Sequence, residues 1–308
     1  MARNDSVVLF EPWHMGDAII AYAIALQDPS RLSLACNPRW HGLLQIISEG
    51  MKPPGLFSVE LPYIGKKKPK LWERTVAPEI AACGKVISIR GDIRDYFASR
   101  QSFPSAKRRF NGWTAFAARK FAVVDFPFAR GWLPITNRYR AWASLAGVEW
   151  EKVEAFYLSE QQLKSRPRIL IHVGALWRSR QYPHVAELAA VLRKGAEVRV
   201  VAAPGDFLPD GIKESEVARA VDGELVELFK AASLVIANDS GPMHLAALLR
   251  CRTAVVCRVS AIEQWIPPTA IAVKSPEAPR GYMPDPAYES EEIIRGWPGV
   301  QEVSAAIR

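Results

Sequence analysis

The stretch Leu234–Val235–Ile236–Ala237–Asn238–Asp239–Ser240–Gly241–Pro242–Met243–His244–Leu245–Ala246–Ala247–Leu248 decides how this chain folds. A short apolar run stops at a polar turn, and apolar residues then restart with helical spacing, which reads as strand, turn and helix. Ser240 or Asp239 is expected to cap the helix, with Pro242 in the first turn, where its missing N–H costs nothing. The amides of Gly241 and its neighbours, with the positive end of the helix dipole, then face the space above the strand end. That setting suits an anion, typically a phosphate. An ordinary strand-to-helix turn accounts for the same pattern, but it needs neither Asp239 nor His244.

Working outward, the same alternation fills most of the chain. In the second half it runs through strand-like Ile169–Val173, a helix Val185–Leu192, Val198–Ala202, a helix Leu225–Ala231, Leu234–Ala237, a helix Met243–Leu249 and Ala254–Val259. In the first half it runs through Val7–Phe10, a turn at Met15–Gly16–Asp17, a helix Ala18–Leu26, Leu32–Ala35, a helix near Trp40–Ser48, Leu56–Leu61 and Val86–Ile89. Phe103 to Trp132 has no clear period and reads as loops and helices, whereas Tyr139–Ala146 reads as helix. Alternation of this kind implies an α/β protein with parallel sheets covered by helices on both faces. The polar stretch 159–167 reads as a linker between a domain at 1–158 and a second at 168–290. Ligands of such units bind at the carboxyl ends of the strands.

Composition narrows the class. Of 308 residues, 49 % are hydrophobic and 23 % charged, which excludes a disordered chain. No apolar run reaches the roughly 18 residues that would span a bilayer. Met1–Ala2–Arg3–Asn4–Asp5–Ser6 leads straight into Val7–Val8–Leu9–Phe10, so no secretory signal is expected. Cys36, Cys83, Cys251 and Cys257 lack metal-site spacing and read as small buried hydrophobes of a reduced, cytoplasmic protein.

The net charge of +8 is uneven, with seventeen Lys/Arg against five acids between Ile64 and Arg140. Trp113, Phe116, Phe121, Phe126, Phe128 and Trp132 lie in the same segment. Basic residues mixed with aromatics suit an anionic membrane surface or an acidic glycolipid; a solvated face over a core is the plainer alternative. No nucleic-acid-binding module accompanies them, and no nucleic-acid partner is expected.

Three further stretches carry candidate chemistry. Gly16 allows close backbone approach after the first strand, and Asp17 opens the next helix as either a cap or a general base. Ile169–Leu170–Ile171–His172–Val173–Gly174 ends a buried strand, and the loop after it holds Arg178 and Arg180, cations suited to a diphosphate. Surface solvation accounts equally for Arg178. At Val200–Val201–Ala202–Ala203–Pro204–Gly205–Asp206 another strand ends in a glycine turn, where Gly205 suits passage beneath a nucleotide and Asp206 a ribose hydroxyl. No glycine-rich dinucleotide or P-loop fingerprint is present.

Gly16–Asp17, Gly174, Arg180–Gln181–Tyr182–Pro183 and Asn238–Asp239–Ser240–Gly241–Pro242–Met243–His244–Leu245–Ala246, in this order, resemble glycosyltransferase family nine, the ADP-heptose:lipopolysaccharide heptosyltransferases. The last stretch is close to the family's Asp-Thr-Gly-x-x-His-x-x-Ala signature. Trp265–Ile266–Pro267–Pro268 also sits where the family tends to place a Trp/Pro turn.

The resemblance implies a GT-B fold, two Rossmann-like doubly wound domains facing a central cleft, with donor on the C-terminal one and acceptor on the N-terminal one. It also implies a C-terminal helix within 291–308 that returns to the first domain. Asp17 then matches the family's base, with His14 as a competing candidate. Arg180 stands where the family usually has a phosphate-binding Lys, and Gly174, Arg178, Gly205, Asp239, Ser240, Gly241 and His244 join it at the donor site. Gly16, His14, Arg90, Arg108 and Arg109 are candidate acceptor contacts.

The implied activity is inverting transfer of a sugar, heptose from ADP-heptose, to a cell-envelope glycan or lipid such as lipopolysaccharide core. It requires no metal or cofactor and takes place in the cytoplasm, peripherally at the inner membrane surface. Ser240 for Thr, Arg180 for Lys and Tyr182 for Trp depart from the family pattern, and Phe57 to Trp150 matches nothing in it. An epimerase or hydrolase on the same scaffold, or a non-catalytic nucleotide-sugar- or glycan-binding protein, are the competing readings.

Overall fold

A computed structural model describes residues 5–60, 83–89, 93–110, 137–159, 168–175, 180–258, 260–275 and 296–308. The chain divides into two units, Met1–Val153 and Glu154–Arg308. The division falls inside a helix, Trp150–Leu158, a few residues before the expected linker; 160–167 lies outside the described residues.

In the first unit five parallel strands stand in the order β3-β2-β1-β4-β5. They are β1 (Val7–Phe10), β2 (Leu32–Cys36), β3 (Gly55–Ser58), β4 (Lys85–Ser88) and β5 (Lys107–Phe110). The central strand β1 is buried along its whole length, as the uninterrupted Val-Val-Leu-Phe run requires. Helix α1 (Met15–Ala25) follows β1 and buries every residue from Ala18 to Ala25. Helix α2 (His41–Ile47) follows β2, and α3 (Ile93–Ser102) follows β4. Val8, Phe10, Trp13, Val86 and Phe103 share one core cluster. Helix α4 (Arg138–Ala146) confirms the helical reading there and ends on Gly147 in the left-handed conformation, φ 67°.

Strand β5 corrects the irregular reading of this region. Lys107–Arg108–Arg109 does not look like a buried strand, yet it pairs in parallel with β4 at the sheet edge, where charged side chains are tolerated. Residues 111–136, which hold the six aromatics of the basic, aromatic segment, lie outside the described residues.

In the second unit six parallel strands stand in the order β11-β10-β9-β6-β7-β8. They are β6 (Arg168–His172), β7 (Glu197–Ala202), β8 (Val217–Arg219), β9 (Leu234–Asn238), β10 (Thr253–Cys257) and β11 (Ile271–Lys274). Counted from β6, this is the doubly wound order of dinucleotide-binding folds. After the helix Trp150–Leu158, here α5, come α6 (Val185–Leu192), α7 (Asp222–Lys230), α8 (Gly241–Leu248) and α9 (Val300–Ala306).

Helix α9 packs on α6 and β11. Its Val303, with Ile307 and Trp297, joins the core formed by Tyr182, Val185 and Leu188. Among the described residues the C-terminal helix covers Val300–Ala306 of the expected 291–308, and its apolar residues pack within the second unit. No helix of the described residues is long and apolar enough to cross a membrane. All four cysteines are buried and unlinked.

Candidate functional site

Each sheet has one place where successive strands wind away in opposite directions. In the second unit it lies between β6 and β9, in the first between β1 and β4. Open α/β sheets bind ligands outside the carboxyl ends of the strands at such points. The candidate residues gather at these two places.

At the carboxyl end of β9, Asn238 is buried and joins three segments. Its side-chain N–H donates to Val173 O at 2.9 Å, and its Oδ1 accepts from Tyr182 N at 3.0 Å. Ser240 is the residue before helix α8, in extended conformation, but its side chain does not cap the helix. The hydroxyl donates to Gly174 O at 3.1 Å instead, across the gap between β9 and β6. The expected side-chain cap is thus replaced by a bridge, because the carbonyl at the end of β6 would otherwise lack a neighbouring strand donor. Pro242 does occupy the first turn, as expected.

Arg180 reaches this turn from the loop after β6. Its Nη1 lies 3.5 Å from Asp239 Oδ2 and 3.4 Å from Asp239 O. The two side chains are 20 % and 10 % exposed, so the pair is largely withdrawn from water yet open at its rim. His244 is buried in the first turn of α8. Arg180 is therefore brought to Asp239, in the turn that runs on through Ser240 and Gly241 into the helix holding His244. Arg178 lies outside the described residues.

Gly174 is required by space. A Cβ there would lie 2.0 Å from Asp206 Oδ2. Its N–H donates to His172 Nδ1 at 3.2 Å, and burial holds His172 neutral with a pKa lowered to about 4. Gly205 takes φ +84° in the turn that follows β7. Asp206 Oδ2 accepts from Ala203 N at 2.8 Å, so the carboxylate read as a ribose contact is engaged in its own turn; burial raises its pKa. Arg219 closes the same turn, donating to Ala203 O at 2.7 Å while Glu214 holds its other side.

In the second unit a further buried charge went unread in the sequence. Arg258 directly follows β10 and is 8 % exposed. Val256 pairs with Asn238, which places Arg258 alongside the Asp239–Ser240 turn. Asp239 also contributes to raising the Cys257 thiol pKa, after burial. The abrupt charge after the apolar run Ala254–Cys257 was the available signal.

In the first unit, Glu11 directly follows β1 and is fully buried, and its N–H donates to Ala35 O at 2.9 Å. The Cys36 thiol is pushed up to about 12 by burial and, secondarily, by the Glu11 charge. His14 is exposed and precedes α1 without a side-chain cap, so Asp17 is the third helical residue and not the cap residue. Gly16 and Asp17 are half-buried in that first turn.

Arg108 hydrogen-bonds within its own unit. Its guanidinium donates to Ala106 O at 2.8 Å, Ser99 O at 3.3 Å and also Phe103 O, clasping the end of α3. Arg109 lies in β5 opposite Ile87, with its side chain outside the described residues, as is Arg90. Buried Asp95 and Glu11 at this end of the sheet were not singled out in the sequence. Among the described residues no group of three or more His, Cys, Asp or Glu is placed to hold a metal ion.

The arrangement in the second unit can hold an anion: a cation and a helix N-terminus meet at a strand-end turn of fixed geometry. Comparisons with known proteins bear on the fold that carries this arrangement. Residues 143–270 match glycosyltransferase family 9 (heptosyltransferase). No match to the sequence is found among curated proteins. Among solved structures, E. coli ADP-heptose lps heptosyltransferase II is similar at 14 % identity and a TM-score of 0.55, covering 98 % of each chain. E. coli heptosyltransferase WaaC with ADP-2-deoxy-2-fluoro heptose is 13 % identical with a TM-score of 0.52, over 88 % of this chain and 93 % of that one. A glycosyl transferase family 9 protein from Veillonella parvula DSM 2008 is 15 % identical with a TM-score of 0.54, over 88 % and 86 %. At these identities the likeness establishes the fold.

Proposed function

We propose that the chain, similar over residues 143–270 to glycosyltransferase family 9 (heptosyltransferase) and sharing a fold with solved heptosyltransferases, transfers heptose from ADP-heptose to a cell-envelope glycan or lipid such as lipopolysaccharide core. The observation that carries this reading is the Arg180–Asp239 pair at the start of α8, held by Asn238 and Ser240.

The proposed reaction is a single displacement. Asp17 takes the proton of the acceptor hydroxyl, the acceptor oxygen attacks the anomeric carbon, and the bond to the diphosphate oxygen breaks with inversion. The nucleoside diphosphate leaves carrying the bonding electron pair. Arg180 and the N-terminus of α8 stabilise the charge that develops there, which gives the site a route without a metal ion. The basic, aromatic segment between Ile64 and Arg140 serves, in this reading, to dock the enzyme at the inner membrane surface or on phosphorylated acceptor sugars.

A thermal-shift panel with ADP, UDP, GDP and CMP, each with and without magnesium, tests the donor side. A ligand of the folded state raises the midpoint by mass action. The expected result is a magnesium-independent shift with ADP that is lost in Arg180→Ala. A preference for another nucleotide overturns the ADP assignment, and no shift with any of them favours a protein that does not use nucleotide sugars. Breakdown of ADP-heptose without any acceptor would point to the epimerase or hydrolase reading.

A further inference from the structure

Asp95 is a carboxylate with 0 % exposure, the third residue of α3. A buried carboxylate is stable only with donors around it, and a helix N-terminus favours its charge. Trp13 and Ser88 are among the side chains that supply them. Trp13 Nε1–H donates to Oδ1 at 2.9 Å, and the Ser88 hydroxyl donates to Oδ2 at 3.0 Å. Trp13 lies in the turn between β1 and α1, and Ser88 is the last residue of β4. The carboxylate therefore links the two strand ends that flank the winding reversal of the first sheet.

That link bears on the residue proposed as base. No side-chain cap fixes the start of α1, and the first helical hydrogen bond, Ala18 N to His14 O at 3.0 Å, begins immediately after Trp13. The turn is held on its other side by Glu11 N to Ala35 O at 2.9 Å. Trp13 thus ties the turn that leads into Gly16 and Asp17 to α3. We propose that Asp95 is a positioning residue for transfer: through Trp13 it fixes the β1–α1 turn and so the place of the Asp17 carboxylate. The proposal rests on the reading of Asp17 as base.

Asp95→Asn and Trp13→Phe are the variants, since both keep the packing volume while removing the charge or the indole N–H. Hydrogen exchange of the full-length protein without substrate is the first readout. Peptides covering 11–18 should exchange about 10-fold faster in both variants, with those covering 234–238 unchanged. The second readout is transfer from ADP-heptose to heptose-deficient lipopolysaccharide. A misplaced base should lower kcat by about 10²-fold and leave the donor KM unchanged. Unchanged protection of 11–18, or loosening spread evenly over the first unit, overturns the proposal. Full activity in Asp17→Asn overturns the base reading instead, and the two failures are distinct because the exchange arm needs no catalysis.

Discussion

The two winding reversals are bridged by opposite chemistry. In the second unit the strand ends are joined by neutral groups: an amide from Asn238, a hydroxyl from Ser240 and a neutral imidazole from His172 beneath Gly174. In the first unit they are joined by a buried carboxylate, Asp95, with an indole and a hydroxyl. Neither α1 nor α8 has a side-chain cap at its start. On that neutral scaffold the charges at the turn are Arg180 with its partner Asp239, nearby Arg258 and the helix terminus. In the other unit, a buried anion beneath the turn accompanies the carboxylate proposed to take a proton. Under the proposed function, diphosphate would be held by one unit and the acceptor deprotonated by the other, and the contrast can be tested on that basis.

The largest effect expected is on chemistry. Asp17→Asn should lower turnover by about 10²–10⁴-fold, the usual contribution of a positioned base, while ADP binding stays as in the wild type. Steady-state rates and a nucleotide titration on the same preparation separate the two. If His14→Ala shows the loss and Asp17→Asn does not, the base is His14.

The neutral bridge is tested by Asn238→Ala. It strands the Val173 carbonyl and the Tyr182 amide, each a buried group costing about 1–3 kcal/mol when unpaired. Urea unfolding should therefore report a loss of several kcal/mol, and Ser240→Ala a smaller one.

Acid tests the same scaffold through His172. Its folded pKa, lowered to about 4, lies below the ordinary value of 6.5, so the unfolded chain takes up the proton first. Its contribution is intact above pH 6.5 and is lost as pH falls toward 4, by up to about 3 kcal/mol. His172→Asn should flatten that part of the stability profile, measured by urea unfolding at several pH values.

The smallest effect concerns the cation. Arg180→Ala should weaken ADP binding by about 10–100-fold, as the loss of a charge-assisted contact implies. Arg180→Lys should restore part of it, since the charge remains but the planar fork does not. Calorimetric titration without metal measures both.

Much of this was legible in the sequence. Buried parallel strands appear as continuous apolar runs, which is why Val7–Phe10 and Leu234–Asn238 are recognisable unaided. Gly174, Ser240 and Pro242 were legible as turn residues because each stands where a strand stops. The edge strand Lys107–Phe110 was not, since its charges mask its pairing. Nor were the bridges. Asn238 meets a partner 65 positions away, and Trp13 meets Asp95 82 positions away, separations over which local pattern carries no information. For the same reason Ser240 was read as a cap, a local role, when its partner lies across the sheet.

The most direct test of the account is the product of a reaction between the wild-type enzyme, ADP-heptose and heptose-deficient lipopolysaccharide in the presence of a chelator. The account predicts release of ADP together with a heptosylated acceptor whose new linkage has the anomeric configuration opposite to that of the donor. A product with retained configuration, or transfer that stops when the chelator is added, would contradict it.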